Sequence, residues 1–313
     1  MIWSYLIHLS FNMWVDWNNP DFQRPHISKE NKFRTDEKTW DATVEALAKN
    51  GCNMLLIDVG DGVKLESHPE IAIRGAWSVD KFKKKLDAIR ALGITPIPKL
   101  NFSATHDAWM GKYAHMVSSD IYYKVVSEII EEVGDIFGQP EYFHLGMDEE
   151  TLAHQKYQEF IVIRQFGLWW KDLYFYIDCA ERTGARAWVW SDYIWKHPEM
   201  FVNKMPKSVL QNNWYYSLYF DVNTAPEPYR TYVAAYKKLE DAGYEHVAAG
   251  SNYYNDTNMQ MTVEYCAKNL NQGLLKGFMQ TPWRPTLPEV KDKLISAADQ
   301  LGAAKKWYES NVK

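Results

Sequence analysis

The chain has 313 residues, is 46% hydrophobic and carries a formal net charge of −5. That is enough apolar material for a substantial core, and the acidic balance excludes a nucleic-acid binder, which needs a basic stripe. Three cysteines, Cys52, Cys179 and Cys266, lie far apart in apolar segments, so neither a disulfide framework nor a thiolate metal site follows.

No stretch is long enough to span a membrane. The first ten residues are apolar but lack a basic start and a small-residue cleavage site, so they read as a strand. Short apolar runs then alternate with amphipathic stretches. The runs cover 5–10, 53–58, 95–100, 142–146, 185–190, 208–213, 246–251 and 275–280, with clear helical patterns over 36–50, 79–92, 120–137, 228–242 and 287–308. Strand followed by helix, repeated, is the signature of parallel strands with crossover helices. Gly51 and Gly93 follow helical stretches as C-terminal caps do, and Asp36 and Ser78 stand where N-caps belong. Eight such units with no linker predict one α/β domain over 1–313, a (β/α)8 barrel. A doubly wound sheet is the rival, but no strand is followed by a dinucleotide or phosphate-binding glycine loop.

In such a barrel the chemistry sits just past the C-terminal ends of the strands. Those positions hold, in order, Asn12, Trp14, Asp16 and Trp17; Asp61 and Glu66; Asn101, His106 and Trp109; Asp148, Glu149 and Glu150; Asp192 and Trp195; Trp214, Tyr215 and Tyr216; Tyr253, Tyr254 and Asp256; Trp283 and Arg284. Carboxylates, amides and aromatics recur at every end. The 14 Trp and 20 Tyr suit stacking platforms for sugar rings, though a large barrel also uses them as bulky fillers. The basic cluster from Lys81 to Lys85 lies in a helical pattern and reads as a solvated outer face.

The densest segment is 142–150, YFHLGMDEE. Strand alternation puts His144, Gly146 and Asp148 on one face, with Glu149 at the turn into the loop. Two neighbouring carboxyls in a partly apolar pocket raise the proton affinity of at least one, and a carboxyl that stays protonated can protonate a leaving oxygen. A metal is the other use for His106, His144, Asp148 and Glu149, but no close ligand pair such as HExxH is present. No cofactor or metal is expected.

At these residues the sequence resembles the family 20 glycoside hydrolases, the β-N-acetylhexosaminidases. Their His-x-Gly-Gly-Asp-Glu motif is matched by His144, Gly146, Asp148 and Glu149, with Met147 replacing the second Gly. Asp61 with LESHPEIAIRGAWS and then ITPIPKLNFSATH is similar to the family's second and third strand-end segments, and Tyr253, Tyr254 and Asp256 to its Trp-Tyr-x-Asp segment. The resemblance implies retaining, substrate-assisted hydrolysis of 2-acetamido sugars in glycans, in a periplasmic or secreted setting. By that resemblance Asp148 orients the acetamido group and Glu149 is the general acid and then the base. His106 and Asp61 form a relay to Glu149, and Tyr254 or Tyr253 binds the acetamido carbonyl. Trp190, Trp214 and Trp283 wall the pocket, with Asp256, Arg284, His144 and Asn12 among the substrate-binding positions. The family's Arg after strand one and its Glu after the strand-eight Trp have no match, and its third-strand Glu is Lys99. This points to a substituted, charged or internal sugar, with Arg284 and Lys99 either receiving an anionic group or serving as structural ion-pair partners. A glycosidase of altered sugar class and a non-catalytic glycan-binding barrel are the alternatives.

Overall fold

Eight parallel strands close on one another in the order of the chain. A computed structural model describes residues 1–18 and 27–312. The strands are β1 Ile2–His8, β2 Met54–Asp58, β3 Thr95–Lys99, β4 Tyr142–His144, β5 Arg186–Trp190, β6 Leu210–Trp214, β7 His246–Gly250 and β8 Leu275–Gln280. Their crossover helices are α1 Glu37–Lys49, α2 Val79–Ala91, α3 Asp120–Ile136, α4 Gly167–Arg182, α5 Pro198–Lys204, α6 Tyr229–Asp241, α7 Asn258–Asn269 and α8 Lys291–Asn311. The (β/α)8 expectation therefore holds. None of the described helices is long and apolar enough to cross a membrane.

Local chemistry sets the helix starts. Asp36 accepts from the backbone of Thr39, Ser78 from Lys81 and Ser119 from Tyr122, each satisfying an orphan N–H of the first turn. The lysine cluster on α2 is a solvated face: Lys81 pairs with Glu37 and Lys85 with Asp41 of α1. All three cysteines are buried and free.

Period-two alternation divides the core into two layers. Leu6, Leu56, Ile97, Trp188, Leu210, Val247 and Met279 fill the barrel. Tyr5, Leu55, Phe143, Val189 and Phe278 point outward under the helices. Closure brings β1 against β8, where a side chain at Gly277 would lie 2.0 Å from the Ile2 carbonyl oxygen.

The top of the barrel ends in a polar layer. His8, Asp58, Lys99 and His144 are consecutive register partners on β1 to β4. Asp58 Oδ2 accepts from Lys99 Nζ at 2.5 Å and lies 3.4 Å from His8 Nδ1. Lys99 is thus a structural ion-pair partner with no exposure, and it is not available to an anionic substrate group.

Candidate active site

The strand expected over 142–146 stops at His144, because the backbone turns left-handed at Gly146 (φ 72°), Met147 (φ 78°) and Glu149 (φ 58°). Met147 still points outward into the helix-facing core. The turn is held from β3: Asn101 Oδ1 accepts from the backbones of Met147 and Ser103, at 3.2 and 3.1 Å. Asn101 Nδ2 donates to Asp148 Oδ1 at 2.8 Å. Glu149 is fixed at both ends of its backbone: its N–H donates to Asp192 Oδ2 at 3.0 Å, and its carbonyl accepts from Thr105 Oγ1 at 2.7 Å.

His106 lies between the acids, its Nε2 3.3 Å from both Asp148 Oδ2 and Glu149 Oε2. Burial disfavours a charged imidazole, but the two carboxylates outweigh it and bring the pKa up to about 10. Asp148 is buried too, which alone would raise its pKa; His106, Lys99 and Asn101 reverse that and hold it below the usual carboxylate range. His154 approaches from the other side, its Nε2 3.3 Å from Glu149 Oε1. Glu149 keeps 22% of its side chain exposed.

These groups open into a cavity of about 500 Å³. Its walls include Trp14, Trp214, Tyr216, Tyr253, Tyr254 and Trp283. Trp214 stacks on Tyr216 at 5.1 Å, and Trp14 meets His106 and Trp283 edge-on at 4.7 and 5.6 Å. Of the residues picked from sequence, Asp148, Glu149, His106, Trp214, Trp283, Tyr253 and Tyr254 thus share one cavity.

Others lie elsewhere. Asp61 makes no relay with His106: its carboxylate is taken by Ser10 Oγ and by Asn12 Nδ2. Asn12 also exchanges hydrogen bonds with the Glu30 backbone and accepts from Arg34, so it organises the loop after β1 and does not line the cavity. Trp190 and His144 sit one layer below the cavity. Trp190 packs against Trp283 at 5.9 Å, and the His144 ring meets Trp190 edge-on at 4.7 Å. Burial holds His144 well below its ordinary pKa. Asp256 turns outward to Gln300 and Lys293. Arg284 caps the Pro282 carbonyl and lies over the Tyr253 ring at 5.2 Å.

Asn101, Asp192 and Tyr216 stand at strand ends in the sequence, where no role had attached to them. Spacing offered one signal: Tyr216 follows Trp214 by two and shares its face. His154 lies in an aperiodic stretch that gives none. Among the described residues, the group of three donors close enough for a cation is His106, Asp148 and Glu149, all within 4.8 Å. A cation bound there would have to displace the proton that the neighbouring carboxyls favour on His106.

No family model matches the chain, and no curated protein matches it. Solved structures do. The GH20 exo-β-N-acetylglucosaminidase from Vibrio harveyi, in complex with N-acetylglucosamine, superposes with a TM-score of 0.61 at 13% identity, over 99% of this chain and 57% of that one. The GH20 β-N-acetylhexosaminidase from Streptomyces coelicolor A3(2) gives 0.63 at 12% identity, over 95% of this chain and 63% of that one. Dispersin B gives 0.60 at 13% identity, over 96% and 98%. The chain spans about 60% of the two longer enzymes. By fold, the chain is a GH20-like (β/α)8 barrel.

Proposed function

We propose that the chain is a glycoside hydrolase that cleaves 2-acetamido sugars from glycans with retention of configuration, using the substrate's own acetamido oxygen as nucleophile. The observation that carries this reading is Asp148 beside Glu149 with the buried His106 Nε2 between them, 3.3 Å from a carboxyl oxygen of each. Two adjacent acids cannot flank a sugar from opposite faces, as a two-carboxylate mechanism requires. They can serve one face, with Asp148 accepting the acetamido N–H and Glu149 protonating the glycosidic oxygen. Attack of the acetamido oxygen on the anomeric carbon expels the leaving group and forms a cyclic, positively charged intermediate. Asp148 stabilises that charge, and Glu149, now a carboxylate, takes a proton from the water that opens the ring. The aromatic walls hold the apolar face of the sugar.

Asp256 and Arg284 are engaged outside the cavity, so the outer hydroxyls of the sugar are not gripped by those two residues.

The test is chromophore release from aryl β-N-acetylglucosaminide and β-N-acetylgalactosaminide, with and without 6-sulfation. Glu149→Gln should lower kcat by about 10²–10⁴, the usual contribution of a general acid. Glycan binding with no turnover in the wild type would make the barrel a binding protein.

A further inference from the structure

Asp192 lies just past β5 and does not line the cavity, yet it is tied to the acid. Its Oδ2 accepts the backbone N–H of Glu149 at 3.0 Å. Glu149 adopts φ 58°, a left-handed conformation that a residue with a side chain holds only when its surroundings impose it. The bond from Asp192 is the constraint on the N-terminal side of that turn, and Thr105 Oγ1 acts on the carbonyl side.

The second oxygen defines the chemical state. Asp192 Oδ1 is sealed from water and has no hydrogen-bond partner. The titratable groups facing the carboxyl are Asp148 and Glu149 from the β4 loop and Tyr232 from α6. Among the described residues no Lys, Arg or His lies within ion-pair distance of it; His106 and His154 approach Asp148 and Glu149 instead. A buried anion beside the Asp148 carboxylate and the Glu149 carboxyl, with no counter-ion, is costly; a neutral acid keeps the one hydrogen bond it makes and avoids that cost.

We propose that Asp192 is a positioning residue that holds the acid Glu149 in its left-handed conformation, and that it does so as a neutral carboxylic acid. Its neutrality has a function. When Glu149 gives its proton to the leaving oxygen it becomes an anion, and a second anion against its backbone would oppose that transfer. The inference rests on the assignment of Glu149 as the acid. Burial, followed by the charge of Asp148, raises the Asp192 pKa to about 8, so the neutral form prevails at neutral pH.

Two variants separate clamp from charge. Asp192→Asn keeps an oxygen for the Glu149 N–H and is neutral at every pH. Asp192→Ala removes the acceptor. On the aryl substrate, Asp192→Asn should keep kcat within about threefold, while Asp192→Ala should lose about 10–100-fold in kcat with KM little changed, the scale of a displaced catalytic group. The wild type should lose kcat as pH rises through about 8, and Asp192→Asn should lack that limb. An Asn variant as impaired as the Ala variant, or alkaline limbs that coincide, would overturn the proposal. A readout independent of turnover is the infrared difference spectrum of wild type minus Asp192→Asn at neutral pH. It should contain the carbonyl band of a protonated carboxyl; a carboxylate band in its place overturns the neutral acid. If the wild type turns over no amino sugar, the glycosidase reading fails while the infrared result still decides the state of Asp192. Matching near-ultraviolet circular dichroism confirms that both variants fold.

Discussion

Gly146 has no room for a side chain. A Cβ there would lie 2.0 Å from Asn101 Oδ1, and its φ of 72° disfavours any L residue. Asn101 cannot yield without releasing Asp148 and the Met147 N–H. Gly146→Ala should therefore cost more than the roughly 1–3 kcal/mol of left-handed strain alone, measured by denaturant unfolding. It should also lower kcat, because Asp148 loses its orientation; an Ala variant of wild-type stability and activity would show that the turn is loose. His106 makes a pH-dependent contribution at the same place. Its folded pKa of about 10 exceeds the 6.5 of an unperturbed imidazole, so its stabilisation is complete below pH 6.5 and lost as pH rises through about 10. The gap in Tm between wild type and His106→Gln should be widest below pH 6.5 and narrow toward pH 10. A gap that does not change with pH would mean that His106 stands there uncharged. At this scale the acid pair was legible, since consecutive acids past an apolar run must share a strand end. The partner of Asp61 was not. An acid between two loops can lean either way, and Ser10 and Asn12, not His106, supplied the donors.

Between β4 and α4 the chain makes a long excursion, and its anchor is Glu150, the third acid of the run. Arg164 returns to it with Nε at 3.0 Å from Oε1 and Nη2 at 2.5 Å from Oε2, and also reaches Asp172, Tyr176 and the Phe102 carbonyl. The guanidinium is buried, so its removal strands two carboxylates. Arg164→Met should destabilise by about 3–5 kcal/mol, the cost of breaking a buried ion pair from one side. Urea unfolding measures it, and a loss below about 1 kcal/mol would mean that water replaces the guanidinium. The same excursion carries His154 to Glu149 and Tyr157 to the cavity wall. The sequence showed β4 to within two residues, because strand periodicity is local, but it gave no helical pattern over α4. It was silent on the excursion, whose form comes from buried contacts to α4 and the β3 loop.

Across the whole molecule, the barrel interior passes from an apolar lower layer to the polar one of His8, Asp58, Lys99 and His144, and only then to the cavity. The eight strand–helix units announced the barrel, but the role of Lys99 needed the register that sets it opposite Asp58. Lys99 and Asp58 are both sealed from solvent, so neither charge is sustainable without the other. Lys99→Met should cost about 3–5 kcal/mol, since Asp58 would be left with only the His8 ring, whose pKa burial lowers. The double variant Lys99→Met with Asp58→Asn removes both charges and should recover most of that loss. Additive losses in a double-mutant cycle by denaturant unfolding would sink the idea of a self-contained pair. Lys99 also helps to hold Asp148 ionised. The double variant should therefore fold yet move the acid limb of its pH–rate profile to higher pH, as Asp148 regains proton affinity. A limb that stays in place would show that His106 and Asn101 suffice to keep Asp148 charged, and that the polar layer serves the barrel alone.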